Sequence, residues 1–284
     1  MSKVTIVTDS TSYLPAETLK ALGISTVPLH VIWGEVDYID NVTIKSEDFY
    51  SKLPHAKVLP STSQPSPKEF MKVYKPILES GNEIVSLHIS SRLSGTIDSA
   101  NQAAKILHTE KVSIFDSLST SMGLGFQVIA AAQAAASGKN RDECIAAAEK
   151  VRSTSTIFFI VKTLEFLKKG GRIGSASALL GTALDLKPIL TLVDGKIEAH
   201  SKVRTFKKAM QKTAEMAAAQ AEKSNKLHIA YINAEAKEDM AFLLQEVKNL
   251  VPSLKLGQEI EAGISPVIGT HTGPGTVGIC FYTE

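Results

Sequence analysis

Two hydroxyl-rich segments precede predicted helices in the first half of the chain. They are Thr62-Ser63-Gln64-Pro65-Ser66 and Ser94-Gly95-Thr96. Helix N-termini carry free N–H donors and the positive end of the helix dipole, so they bind anions readily. Hydroxyl groups add neutral donors, and Gly95 permits a close approach of the backbone. An anion site at these segments is one interpretation; simple helix capping, favoured above all for Ser66, is the other.

Three further residues attract attention by their surroundings. Arg204 precedes a predicted helix, where a cation is electrostatically unfavourable. His271 lies in the glycine-rich segment Gly269–Gly275, which we predict to be a loop. Arg172 follows Lys168-Lys169-Gly170-Gly171, where basic residues usually stabilise the C-terminus of a helix.

Several catalytic signatures are absent from the sequence. It contains no Walker A motif, no Gly-x-Ser-x-Gly, no His-Glu-x-x-His and no Cys-x-x-Cys. No cluster of His, Cys and carboxylate residues has the spacing of metal ligands. We therefore expect neither a metal site nor a cofactor.

The elements that position these residues alternate regularly in the first half. Short apolar runs end in polar loops, and helical patterns follow; three of the loops, 9–12, 90–96 and 116–121, are rich in Ser and Thr. This rhythm predicts a mainly parallel sheet flanked by helices, whose strand-to-helix loops meet at one edge. We predict an N-terminal α/β domain over residues 1–155.

The second half follows a different pattern. Two apolar runs flank Asp194-Gly195, a pair typical of a type I′ hairpin. Helical patterns and further strands follow, with a last strand from Val277 to Tyr282. We predict a C-terminal α/β domain with a mixed sheet over residues 156–284.

Composition is that of an ordinary globular protein. The 284 residues are 44% hydrophobic and 21% charged, with a net charge of +2 that gives no reason to expect nucleic-acid binding. No apolar stretch approaches the ~20 residues of a membrane span, and the N-terminus has no signal-peptide pattern. The two cysteines, Cys144 and Cys280, are expected to be buried thiols in a cytoplasmic protein without stable membrane insertion.

The order of these motifs resembles the DegV family over essentially the whole chain. Each motif is weak alone, but the ordered set is specific. The set comprises Thr8-Asp9-Ser10, Thr62 to Ser66, Ser90 to Thr96, Asp116-Ser117, Leu167 to Ile173, Lys187-Pro188, Asp194-Gly195, Arg204-Thr205 and Gly269 to Gly275.

The resemblance implies a two-domain α/β protein that holds a long-chain fatty acid between its domains. It also implies the role of binding subunit in a bacterial fatty acid kinase. In that system a separate ATP-binding subunit phosphorylates the bound carboxylate, and the acyl phosphate feeds phospholipid synthesis. The chain would thus be a lipid-binding subunit that is not catalytic alone.

The same resemblance implies roles for individual residues. Thr62, Ser94 and Gly95 match the positions that hold the carboxylate. Polar residues near the mouth of the family's ligand-binding site are implicated in phosphotransfer or partner docking. The positions that match them here are Arg172, Arg204, Thr270 and His271. Many relatives carry Tyr-Gln where this chain has Ile97-Asp98, which adds a negative charge near the proposed anion site and bears on ligand choice.

Physical chemistry is consistent with a fatty acid. Burial contributes ~0.8 kcal/mol per methylene, so a long chain offers on the order of 10 kcal/mol before entropic costs. Two alternatives stay open. One is a stand-alone serine hydrolase or esterase that uses Ser94 with His271, and the other is a binder of a small phosphorylated metabolite.

Overall fold

The computed structural model describes residues 3–180 and 186–284. Its strands are β1 (Val4–Asp9), β2 (Ser25–Val27), β3 (His30–Trp33), β4 (Val36–Ile39), β5 (Ser61–Ser63), β6 (Glu83–His88), β7 (Val112–Asp116), β8 (Thr156–Ile160), β9 (Lys187–Val193), β10 (Lys196–Val203), β11 (Leu227–Asn233), β12 (Leu256–Gly263) and β13 (Val277–Thr283). Its α-helices are α1 (Ala16–Ala21), α2 (Ser46–Lys52), α3 (Pro67–Glu79), α4 (Thr96–Ile106), α5 (Ser121–Ala136), α6 (Arg141–Thr154), α7 (Glu165–Lys169), α8 (Phe206–Glu222), α9 (Lys237–Leu250) and α10 (Pro266–Thr272).

A parallel sheet occupies the first half, as predicted. Its strand order is β2-β1-β6-β7, and every neighbouring pair is parallel. Because parallel strands share one direction, the loops after β1, β6 and β7 emerge at the same edge. The three Ser/Thr-rich loops are therefore neighbours in space.

The second half forms a six-stranded mixed sheet in the order β10-β9-β8-β13-β11-β12. Only β11 and β12 pair in parallel within it. The predicted hairpin joins β9 to β10, and its two turn residues, Asp194 and Gly195, have φ of 48° and 77°. Positive φ at both central residues is the requirement of a type I′ turn. The predicted α/β fold with one parallel and one mixed sheet is confirmed.

A small third sheet was not predicted. The run from Ile24 to Trp33 has a strand pattern interrupted by Pro28, and the chain divides there into β2 and β3, which belong to different sheets. Strand β3 pairs with β4 and β5 in antiparallel order. As a result Thr62 lies in β5 rather than at a helix N-terminus. A proline cannot donate to a ladder, and Pro28 marks the change of sheet.

Local capping signals agree with the structure. Ser66 and Asn140 each form a capping box, with Glu69 and Glu143 respectively, at the starts of α3 and α6. Both cysteines are buried free thiols. Among the described helices, none has the length and apolar composition that crossing a bilayer requires.

The two larger sheets contribute to one hydrophobic core. Its main cluster of buried side chains includes Val85 and Leu87 from the parallel sheet, and Phe159, Leu190 and Ile232 from the mixed sheet. Apolar surface from both halves is thus removed from water together. A cavity lies in this shared region.

Candidate functional site

A cavity of about 850 Å³, including its open mouth, lies between the two sheets. Apolar side chains form most of its wall. They are Leu29, Ile89, Leu93, Ile157, Phe159, Leu192, Ile197, Ile232, Ile264, Val267 and Ile268. Ile157 and Phe159 are two residues apart on β8, so alternation along the strand directs both to the same face. The cavity suits an elongated apolar ligand.

Thr62 and His271 meet in the cavity wall. The Thr62 Oγ1 atom lies 2.8 Å from His271 Nε2, although 209 residues separate them along the chain. Strand β5 presents Thr62, and the last turn of α10 presents His271. Only the tertiary fold produces this contact.

Ser94 lies in the same wall, at the start of α4. Its hydroxyl is 2.8 Å from the hydroxyl of Thr96, which is fully buried. Gly95 is the N-cap residue of this helix, as the sequence suggested. A Cβ atom at position 95 would lie 2.5 Å from the side-chain nitrogen of Gln64, so glycine permits the close packing of these two segments.

Arg172 is the fourth predicted residue in the cavity wall. Its Nε donates to the Leu93 carbonyl at 3.1 Å, and its Nη1 donates to the Gly170 carbonyl at 2.7 Å. These bonds hold the guanidinium beside the loop that leads to Ser94. The cavity thereby gains a fixed positive charge at the end where the hydroxyl groups collect.

The imidazole of His271 is held in its neutral form. Burial, reinforced by the positive charge of Arg172, lowers the pKa of His271 from 6.5 to about 4. Its Nδ1 atom is buried and forms no hydrogen bond with the described residues. Gly170 packs directly against this atom, because a Cβ at position 170 would overlap it. The glycine before Arg172 is therefore a packing requirement of the histidine ring.

His271 was predicted to lie in a loop, and this was wrong. Helix α10 begins at Pro266, and only the segment after Thr272 is a loop, starting with Gly273 at a φ of 77°. Gly269 lies within this helix, where Tyr50 packs so closely that no side chain would fit. The sequence signal that could have shown the helix is Ser265-Pro266, an N-cap followed by proline at the first position.

Three predicted site residues lie outside the cavity wall: Arg204, Thr270 and Gly95, which adjoins Ser94. Arg204 is exposed between β10 and α8. The hydroxyl of Thr270 donates to the Pro266 carbonyl within α10. Asp98, which the sequence placed near the anion site, is exposed and does not line the cavity.

Several polar cavity residues were missed by the sequence analysis. They are Tyr13, Thr120, Ser121, Thr272 and Thr276. Tyr13 directly follows one Ser/Thr-rich loop at the sheet edge, and Thr120 and Ser121 are the last residues of another, so their position was available as a signal. Thr272 and Thr276 depended on recognising α10.

A serine–histidine arrangement exists elsewhere, but it is sealed in the core. His88 joins Ser86 (Nε2 to Oγ, 2.6 Å) and Asp9 (Nδ1 to Oδ2, 3.1 Å), and Tyr74 donates to Ser86. All of these side chains are fully buried. Asp9 also accepts the backbone N–H groups of Thr11 and Ile89. The chain of bonds thus fixes the starts of two cavity-lining loops.

Comparisons with known proteins agree with this architecture. A family model described as an uncharacterised protein of the DegV family matches residues 3–284. A DegV domain-containing protein of Streptomyces coelicolor is 40% identical over 277 residues, which is 97% of each chain.

Solved structures are similar over the same extent. A Thermus thermophilus DegV family protein, described as fatty acid binding, superposes with a TM-score of 0.93 at 38% identity, covering 99% of this chain and 100% of its own. DegV of Bacillus subtilis, described as a fatty acid binding protein, gives a TM-score of 0.90 at 31% identity over 100% of both chains.

Proposed function

Because this chain belongs to the DegV family, we propose that it binds one long-chain fatty acid in the cavity between its two sheets. The single observation that carries the proposal is the shape of the site. A cavity lined mainly by apolar side chains, with about 850 Å³ of space including its open mouth, has Thr62, Ser94, Arg172 and His271 in its wall. An acyl chain would fill the apolar part, and its carboxylate would bond to the polar group.

The hydroxyl groups are arranged so that both can donate to a carboxylate. If His271 donates from Nε2 to Thr62, the Thr62 proton stays free for the ligand. If Thr96 likewise donates to Ser94, the Ser94 proton is also free. Two hydroxyl donors and a nearby guanidinium would offset the cost of placing a carboxylate at an apolar cavity.

We further propose that the chain presents this carboxylate to an ATP-binding kinase subunit, which forms the acyl phosphate. On this proposal residues 1–155 and 156–284 act as two domains that hold the ligand between them. Arg204, exposed and outside the cavity wall, would dock the partner rather than touch the fatty acid. The compartment would be the cytoplasm, where the partner and its ATP are available.

A stand-alone hydrolase finds no support in the site. The Nε2 atom of His271 bonds to Thr62, and its Nδ1 has no carboxylate partner among the described residues. The Ser94 hydroxyl bonds to Thr96. The bonds that would activate a serine nucleophile are therefore not formed.

Native mass spectrometry of the purified protein tests the binding proposal. We expect one bound fatty acid per chain, identified after denaturation, and reloading of the delipidated protein with oleate or palmitate. Thr62→Val and Ser94→Ala should each weaken binding by roughly tenfold, the loss of about 1.5 kcal/mol for a bond to a charged group. Ser91→Ala, an exposed serine of the same loop, is the matched control. A protein that runs at its bare mass and takes up no fatty acid would refute the proposal.

The kinase role requires a separate assay. The loaded protein, a fatty acid kinase ATP-binding subunit of this family and Mg-ATP should yield acyl phosphate, trapped as the hydroxamate with hydroxylamine. We expect Arg204→Ala to retain the bound fatty acid but to lose most of the product. If the protein binds fatty acid but no acyl phosphate forms with the ATP-binding subunit and Mg-ATP, the kinase role is refuted and the fatty-acid-binding proposal is unaffected.

A further inference from the structure

We propose that Tyr13 limits the length of the acyl chain by narrowing the apolar part of the cavity near the start of helix α10, away from the carboxylate site. The inference rests on the proposed fatty-acid binding. It assigns a specificity-determining role to a residue that has no part in carboxylate binding. Its basis is the position of Tyr13 relative to helix α10.

Helix α10 forms part of the cavity wall. Val267, Ile268 and His271 all line the cavity from this helix. His271 lies in the last turn, beside Thr62. Ser265 is the N-cap residue at the other end, about 9 Å away at 1.5 Å per residue.

Tyr13 lies at the Ser265 end. Burial raises the pKa of its phenol, and the neighbouring groups that act on it are Ser265 and Asp40. Asp40 in turn accepts the Val267 N–H in the first turn of α10, at 3.2 Å. Tyr13 is thus about one helix length from the hydroxyl groups that would hold the carboxylate.

The ring, rather than the hydroxyl, faces the ligand. Tyr13 lines the cavity, yet its hydroxyl oxygen is buried and makes no hydrogen bond of good geometry with the described residues. Asp40 and Ser265, which act on the phenol, are not part of the cavity wall. The aromatic ring therefore shields the tail of the ligand from these polar groups.

The backbone conformation at Tyr13 also supports a specific role for its ring. Its φ of 56° and ψ of 22° are left-handed, directly after the short 3₁₀ helix Ser10–Ser12. A bulky residue pays about 1–2 kcal/mol for this conformation, and such strain persists where the surroundings demand it. Here it directs a large ring into the cavity, where a glycine or asparagine would have avoided the strain.

A wall of this kind would discriminate between chains by burial. A methylene that finds no space loses its transfer free energy, roughly fourfold in affinity per carbon. An aromatic side chain occupies the surface of several methylenes, about 150–250 Å². Removing the ring should therefore admit longer chains, and enlarging it should exclude the natural ones.

Competition among fatty acids tests this role. Delipidated wild type, Tyr13→Gly, Tyr13→Trp and Tyr13→Phe are each loaded from an equimolar mixture of saturated fatty acids from 12 to 22 carbons, roughly the span of common long chains. Native mass spectrometry then gives the distribution of bound acids. Glycine is chosen because it accepts the positive φ without strain, and Phe keeps the ring as the matched control.

We expect the distribution to move about two or more carbons longer in Tyr13→Gly, shorter in Tyr13→Trp, and not at all in Tyr13→Phe. Identical distributions in wild type and in both the Gly and Trp variants would overturn the role of Tyr13. That result differs from failure of the proposed function, in which wild type itself binds no fatty acid. If one variant does not fold, the opposite shift expected of the other still decides the question.

Discussion

At the scale of single residues, the neutral state of His271 is the feature that most shapes the site. The residue is 9% exposed, and its ring lies near the Arg172 guanidinium. A protonated ring there would repel the arginine. Keeping the ring neutral leaves Arg172 as the positive charge that faces the cavity.

This neutrality predicts a pH dependence of stability. Between pH 6.5 and about 4, His271 is protonated in the unfolded chain but neutral in the folded chain. The free energy of unfolding therefore falls as the pH falls. His271→Gln should remove this effect. The free energy of unfolding of the variant minus that of wild type should therefore rise by about 2–3 kcal/mol between pH 7 and pH 4.5, as measured by urea unfolding.

The control for this experiment is His55→Gln, because His55 is exposed and far from the cavity wall. It should follow the wild-type dependence. A His271→Gln profile parallel to that of wild type would contradict a depressed pKa at His271.

At the scale of elements, α10 depends on a cap supplied from outside the helix. Its own N-cap residue, Ser265, makes no side-chain cap bond, and Asp40 instead accepts the Val267 N–H. Tyr50 also holds the preceding segment by donating to the Ile264 carbonyl at 3.1 Å. The loop after β4 and helix α2 therefore position the helix that carries His271.

Asp40 should titrate with the opposite sign to His271. Burial raises the pKa of Asp40 from 3.8 to about 6, so the folded state takes up a proton between pH 6 and 4 that the unfolded state does not. The contribution of Asp40 to the free energy of unfolding therefore rises as the pH falls. At pH 7 the carboxylate is charged in both states, and the full cost of burying it is present. The free energy of unfolding of Asp40→Asn, relative to wild type, should be about 2 kcal/mol higher at pH 7 than at pH 4.5 when measured by urea unfolding.

Asp40→Leu separates the charge from the cap. Both substitutions remove the titration, but only asparagine keeps an acceptor for the Val267 N–H. The leucine variant should be less stable than the asparagine variant by about 1 kcal/mol, the usual worth of a cap. Equal stabilities would mean that Asp40 does not cap α10.

The paired glycines after α7 offer a second test at this scale. Gly170→Ala would overlap the His271 ring, and overpacking of this kind costs about 1–3 kcal/mol. We expect weaker fatty-acid binding by titration calorimetry, since His271 must move. Gly171→Ala is the matched control. Its φ is 70° with open space around it, so it should cost about 1 kcal/mol of stability and leave binding intact.

At the scale of the whole molecule, the ligand would contact elements of both halves. Residues of the cavity wall come from β5 and the loops after β6 and β7 on one side, and from β8 to β11 and α10 on the other. A ligand that binds only when these elements are assembled must stabilise the folded state.

Thermal unfolding of the delipidated protein should reveal this linkage. At a free oleate concentration about 100 times the dissociation constant, stabilisation is about 2.7 kcal/mol, which raises Tm by roughly 5 °C. Methyl oleate, with the same tail and no carboxylate, should give a clearly smaller shift. Equal shifts from acid and ester would argue against a carboxylate site at Thr62 and Ser94.

The sequence by itself determined the fold class, the parallel sheet edge with its hydroxyl-rich loops, the Asp194-Gly195 hairpin and the capping boxes at Ser66 and Asn140. These features depend on local propensity and periodicity, which short stretches of sequence carry. The ordered motifs also indicated the family, now established over residues 3–284.

Tertiary structure alone decided how the site is assembled. It placed Thr62 on a strand and His271 on a helix, brought them to 2.8 Å, and excluded Arg204 and Thr270 from the cavity wall. It also set the charge of His271 and directed the ring of Tyr13 into the cavity. Contacts between residues about 200 positions apart, and the burial that shifts a pKa, arise only when the sheets pack together, so no local pattern encodes them.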